Sequence, residues 1–144
     1  MALALREAEK GLRRGEVPVG AVIVRGDAVV GAGHNLVERR GNATAHAEMI
    51  AIGKATRALG DWRLAGATLY VTLEPCPMCA GALILSRIAT LVFGAYDSKF
   101  GACGSVVDLF ADERTWNHRV AVVPGVMADE SAKLLRRFFA ERRA

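Results

Sequence analysis

The stretch TLYVTLEPCPMCAGALILSRI, from Thr68 to Ile88, decides the fold. Its opening, with Ala67 in front, reads ATLYVTL through Leu73, a short run rich in β-branched and aromatic residues that predicts a strand. At Cys76-Pro77 the pattern changes. Proline suits the first turn of a helix, where its missing N–H has no partner to lose, so a helix is expected to open here and run to about Arg87. A second strand follows at Ala89–Gly94.

Upstream, residues 2–14 place Leu3, Leu5, Ala8 and Leu12 at helical spacing, with Gly15 as a stop. Val19–Arg25 and Ala28–Gly33 are β-branched runs joined by Gly26-Asp27, a hairpin signal. A polar loop, His34 to Ala43, leads to Thr44, which is expected to cap a helix from Ala45 to Leu59 that ends at Gly60. Downstream come a Gly-rich loop at Ala95–Ser105, a helical turn near Val106–Phe110, a strand at Arg119–Val123 and a helix after Asp129. The order α-β-β-α-β-α-β-β-α predicts an α/β fold, a central sheet with helices on its faces, in one domain spanning residues 1–144.

Composition narrows the class. With 52% hydrophobic and 24% charged residues, the chain is neither disordered nor a disulfide miniprotein. No apolar run approaches the ~20 residues of a membrane helix, and Glu7 and Glu9 interrupt the N-terminal stretch, so a cytoplasmic location without membrane contact is expected. The net charge of +4 is concentrated in residues 131–144, where Lys133, Arg136, Arg137, Arg142 and Arg143 face a single acid, Glu141. Such a tail suits a polyanion, because neutralising phosphates releases counterions; a solvated helix face is the plainer alternative.

Two short motifs carry chemistry: His46-Ala-Glu48 and Pro75-Cys76-Pro-Met-Cys79. Cys-x-x-Cys alone also reads as a redox pair. With His46 it offers one imidazole and two thiolates to a tetrahedral zinc ion, and three protein ligands leave the fourth position for water, as in catalytic sites. Both cysteines fall at a helix start, where the dipole favours thiolate. Glu48, two residues from His46, points elsewhere in a regular helix and is read as a proton carrier rather than a ligand. Zinc lowers the pKa of water to about 7, and a neighbouring carboxylate can move that proton to a ring nitrogen and on to a departing amine. The combination is the H-x-E…P-C-x-x-C signature of zinc deaminases.

GEVPVGAVIV (15–24), GHN (33–35), TAHAEMIAI (44–52), the stretch 68–88, VFGAYDSKFGACGS (92–105), NHRV (117–120) and RRFFAERR (136–143) extend the likeness over nearly the whole chain. By these residues it resembles the bacterial tRNA-specific adenosine deaminases of the cytidine/deoxycytidylate deaminase superfamily. The resemblance implies a three-layer α-β-α, cytidine-deaminase-like fold with a central five-stranded mixed sheet. It implies a homodimer with one zinc ion per subunit on His46, Cys76 and Cys79, and Glu48 as proton shuttle. The activity implied is hydrolysis of the wobble adenosine of a tRNA anticodon stem-loop, in an arginine isoacceptor, to inosine. Substrate contacts are implied at Asn35 and Ala47 for the extruded base, at Asp97 and Lys99 for neighbouring nucleotides, and at Phe138, Phe139, Arg142 and Arg143 for the tail. Ser98 and Phe100 depart from the residues the family often carries in that loop.

Two other functions remain open at this level: deamination of free guanine, cytosine or a nucleoside, and a non-catalytic zinc-binding RNA module. The basic tail argues against the first and Glu48 against the second. Phe138 and Phe139 read equally as core residues or as a stacking face. Cys103 reads as packing, His34 and His118 as structural or surface residues, Gly101 and Gly104 as loop-shaping, and Trp62 with Arg63 as surface packing or RNA contacts.

Overall fold

The computed structural model describes residues 1–112 and 114–143. Helices and strands follow in the order α1 (Ala2–Arg13), β1 (Gly20–Arg25), β2 (Ala28–His34), α2 (Val37–Arg40), α3 (Ala47–Leu59), β3 (Thr68–Leu73), α4 (Pro77–Leu85), β4 (Thr90–Ala95), β5 (Ala121–Val123) and α5 (Ala128–Arg143). Among the described residues the strands form a five-stranded sheet in the order β2-β1-β3-β4-β5. β1 runs antiparallel to β2 and β3, whereas β3, β4 and β5 run parallel, so the sheet is mixed as expected.

Alternation along the strands sorts the layers. Ala21 and Ile23 of β1, Leu69 and Val71 of β3, and Leu91 and Phe93 of β4 point to one face. There they meet Ala47, Ala51 and Ala55 of α3 and Leu83 and Ile84 of α4. Full burial of a side chain such as Leu69 or Phe93 stabilises by about 1.5–3 kcal/mol, so this layer is the main driving force. The opposite face carries α1 and α5, which also touch each other. Small residues bring helices close to the sheet: a Cβ on Gly20 would overlap the Ala4 carbonyl of α1, and one on Gly31 would overlap the Ala51 carbonyl of α3. Any side chain there pushes a helix away.

Three local expectations are corrected. Thr44 does not cap α3: its hydroxyl and amide both bond to Asn42 Oδ1, and the helix starts at Ala47 with His46 at the N-cap. The loop His34–Ala43 contains α2, whose Glu38 and Arg39 amides are capped by the distant carboxylate of Glu16. Residues 106–110 make no helical turn. A Cys103–Asp108 bridge and turns replace it, because the amides of Cys103 and Ser105 are drawn onto Glu74 and those of Val106 and Val107 onto the Gly101 carbonyl.

Candidate metal centre and substrate cavity

The parallel strand β3 ends beside the start of its antiparallel neighbour β1, tied by the Gly20 amide on Thr72 Oγ1 at 3.2 Å. At this edge α3 and α4 both begin. Their N-cap residues, His46 and Cys76, are extended, and neither side chain is spent on capping. Both are thus free to turn toward each other, and Cys79 joins them from the first turn of α4. His46 Nδ1 lies 3.6 Å from Cys76 Sγ and 3.5 Å from Cys79 Sγ, and the three donor atoms are within 4.8 Å of one another. A tetrahedral zinc ion with nitrogen at about 2.05 Å and sulfur at about 2.3 Å needs nitrogen–sulfur edges of about 3.55 Å. The donor set fits that ion.

Electrostatics favour the same reading. The Cys76 thiol is pulled down to about 4, first by a hydrogen bond from Cys79, with burial opposing and His46 assisting. The same contact, with burial, pushes Cys79 up. His46 is raised, chiefly by its bond to Cys76. The helix start therefore favours the thiolate form at Cys76.

Glu48 sits in the first turn of α3 with 4% of its surface exposed. Burial raises its pKa, against the opposing effects of a Cys79 hydrogen bond, its own backbone amide and His46. A carboxyl group whose charge is made costly by burial is suited to taking and giving up a proton. It lines a cavity of about 740 Å³ together with His46, Cys76, Asn35 and Ala47. Asn35 is buried, and among the described residues its Oδ1 has no hydrogen-bond partner. An orphaned buried acceptor is costly unless a ligand supplies a donor, so Asn35 Oδ1 is open to a hydrogen bond from whatever enters the cavity. His34 fixes its backbone: Nδ1 donates to the Asn35 carbonyl at 2.8 Å, while Nε2 accepts from Arg14 at 2.9 Å.

The cavity walls contain residues the sequence did not single out, Val17, Glu38, Leu73, Glu74 and Met78, and also Phe100, noted there only as a departure from the family. Asp97 is also there, but its Oδ1 is occupied by the amides of Lys99 and Phe100. Lys99 is exposed and does not line the cavity; Phe100, 67% exposed, does. Nothing near Glu74 in sequence announces its role, because its partners lie 23 to 31 residues downstream.

The tail residues lie outside the cavity. Phe138 is buried where α5 meets α1 and Phe139 is half exposed, so of the two only Phe139 offers a face. Arg142 and Arg143 are both exposed, and the Arg142 guanidinium also bonds the Gly15 carbonyl at 2.5 Å and lies 4.5 Å above the Phe138 ring. Cys103 packs at the core edge with its pKa raised by burial, and His118 Nε2 donates to the Ile88 carbonyl. Arg63 and Arg87 stack on exposed Trp62 at 4.4 and 5.8 Å. A methyl on Gly101 would strike the Glu74 carboxylate, so this glycine shapes the loop.

The model of the MafB19-like deaminase family matches residues 1–143. A tRNA-specific adenosine deaminase of Bacillus subtilis is 51% identical over 97% of this chain and 86% of its own length. A solved structure described as a tRNA:A34 deaminase, editing A to I at the wobble position of transfer RNA, superposes with a TM-score of 0.89. It is 46% identical and covers 94% of this chain and 97% of its own. A guanine deaminase from Nitrosomonas europaea is more distant, with a TM-score of 0.80 and 26% identity over 96% of this chain and 82% of its own. With a donor triad spaced for a metal ion, a buried glutamate beside it and likeness along almost the whole sequence, the chain belongs to the tRNA-specific adenosine deaminase family.

Proposed function

We propose that this protein hydrolyses adenosine to inosine at the wobble position of a tRNA anticodon, the family resemblance pointing to an arginine isoacceptor. The observation that carries the reading is the His46–Cys76–Cys79 triad at tetrahedral spacing with buried Glu48 on the same cavity. Zinc held by these three residues supplies a Lewis acid that makes a hydrolytic water available near neutral pH. Glu48 takes a proton from the attacking water on its carboxylate and passes it to N1 of the adenine ring as oxygen bonds to C6. It then carries the proton of the new C6 hydroxyl to the amino group, so that the C6–N6 bond breaks and ammonia leaves. Asn35 Oδ1 accepts a hydrogen bond from the substrate, and Ala47 keeps the floor small enough for a flat base. Asp97, Lys99, Phe139 and Arg143 are assigned to the surrounding nucleotides, with buried Phe138 and the surface bond of Arg142 to Gly15 holding the tail in place.

An adenine reaches such a cavity only by leaving its stack, which is cheapest in a loop. The anticodon stem-loop meets that need, and the basic tail adds phosphate attraction. The working form is read as a homodimer with one zinc ion per subunit: α4 (PMCAGALIL) has no charged residue, and its Leu85 is 70% exposed. Residues 1–144 form one deaminase domain in this reading. Its place is the cytoplasm, where tRNA is processed; among the described residues no helix is long and apolar enough to cross a membrane.

The guanine deaminase likeness favours one alternative, a free-base or nucleoside substrate. Incubating zinc-loaded protein with an A-containing anticodon stem-loop, and separately with adenosine, cytidine and guanine, decides by mass spectrometry. Inosine confined to the wobble position is expected. Turnover of a free base alone transfers the same residues to the alternative, and bound zinc without turnover leaves a non-catalytic RNA module.

A further inference from the structure

One carboxylate outside the reaction path gathers more of the cavity wall than any candidate binding residue. Glu74 is 2% exposed. Its Oε1 accepts the Asp97 amide at 3.1 Å and the Ser105 hydroxyl at 2.5 Å, while Oε2 accepts the amides of Cys103 at 3.0 Å and Ser105 at 3.1 Å. The loop that begins after β4 is thereby gripped at both ends and near its middle. Gly101 brings bare backbone against the same carboxylate, and the Ala102 amide bonds to the Pro75 carbonyl at 2.9 Å. Glu74 precedes Cys76 by two residues, so the grip registers the loop against the metal-binding helix start.

What the loop presents is Phe100. Its amide and that of Lys99 are bonded to Asp97 Oδ1 at 3.2 and 3.0 Å, and Phe100, largely exposed, lines the cavity. An exposed aromatic ring ordinarily costs solvation and serves no packing; on a braced loop beside a nucleic-acid cavity it offers a stacking platform for a base. We infer that Glu74 is a positioning residue that braces the 97–105 wall so that the Phe100 ring stacks on a nucleotide flanking the extruded adenosine. This rests on the RNA-editing reading above. With both oxygens turned inward to four donors, Glu74 itself touches no substrate.

The test combines Glu74→Gln, Ser105→Ala and Phe100→Ala in zinc-loaded protein, with steady-state kinetics on the anticodon stem-loop and amide hydrogen exchange over residues 97–105. Gln keeps one acceptor oxygen and turns an N–H₂ group toward N–H donors, so Glu74→Gln is expected to raise KM about tenfold, with kcat and zinc content nearly unchanged. Ser105→Ala removes one of the four bonds and is expected to raise KM about threefold. It carries the test if the Gln variant does not fold. Phe100→Ala is expected to raise KM about tenfold, and in that background Glu74→Gln and Ser105→Ala add no further increase, because the platform they position is gone. Phe100→Trp is expected to retain near-normal KM. Additive effects, an unchanged KM or zinc loss in the Glu74 and Ser105 variants overturns the inference. If wild-type protein edits no RNA, the functional reading fails and the stacking role falls with it. Exchange then decides the brace alone: faster exchange in the two latch variants supports it, and equal exchange removes it as well.

Discussion

Glu48 and Glu74 are both buried glutamates on one cavity, yet their surroundings give them opposite chemistry. At Glu48 burial prevails over the few groups that favour the charge, so the pKa rises. At Glu74 burial also pushes upward, but the Ser105 hydroxyl and the amides of Asp97, Cys103 and Ser105 outweigh it, and the pKa falls. A carboxylate that is costly to ionise is poised to exchange protons, whereas one with its lone pairs filled is a strut. Burial alone separates neither role; the count and direction of donors does.

Cutting into the floor should cost most. Cys79→Ala leaves two of three donors, and we expect zinc to be lost and inosine formation to vanish, checked by metal analysis beside the stem-loop assay. Glu48→Gln should retain zinc while kcat falls by about 10³-fold or more, within the range for losing a general acid–base. Loss of zinc in that variant would make Glu48 a ligand and dissolve its contrast with Glu74.

Stability sharpens the same contrast with opposite signs. Glu74 has a folded pKa below its ordinary 4.5, so its stabilisation is present above that value and is lost as pH falls through the folded pKa. Glu74→Gln should therefore lower Tm at pH 7, corresponding to about 2 kcal/mol for hydrogen bonds to a charged group, and the deficit should shrink in acid. Glu48 has a folded pKa above 4.5, so metal-free protein loses stability as pH rises through it. Glu48→Gln should leave metal-free protein at least as stable as wild type at pH 7. Thermal melts of both variants from about pH 2.5 to 8 check the two signs, since the Glu74 change falls below its ordinary 4.5 and the Glu48 change above it; parallel curves would erase the distinction.

The smallest effect belongs to the tail. Arg143→Ala should weaken RNA binding and reduce the slope of log affinity against log salt by about one, with Tm unchanged. Arg142→Ala should lower Tm as well, because its guanidinium holds the Gly15 carbonyl and covers Phe138. Titrations at several salt concentrations separate them.

Legibility followed the range of the interactions. The metal triad could be read because each motif is compact and each opens a helix: a proline at the first turn and two donors three residues apart say where the side chains go. The hairpin at Gly26-Asp27 and the five strands were readable for the same local reasons, from β-branched runs punctuated by turn residues. Thr44 misled because a good N-cap residue found a nearer partner in Asn42. The helix α2 was invisible because Glu16, more than twenty residues upstream, supplies its cap.

By itself, then, the sequence determined the α/β class, the zinc-competent donor set and the carboxylate beside it, since these depend on residue type and short spacing. Only the tertiary structure decided which of two adjacent phenylalanines is buried, that Arg142 bonds Gly15, and that Asn35 Oδ1 has no partner among the described residues. It also decided that Glu74 carries the wall presenting Phe100. Each of those outcomes depends on groups far apart in the chain meeting at one place, and no local pattern records the register of that meeting.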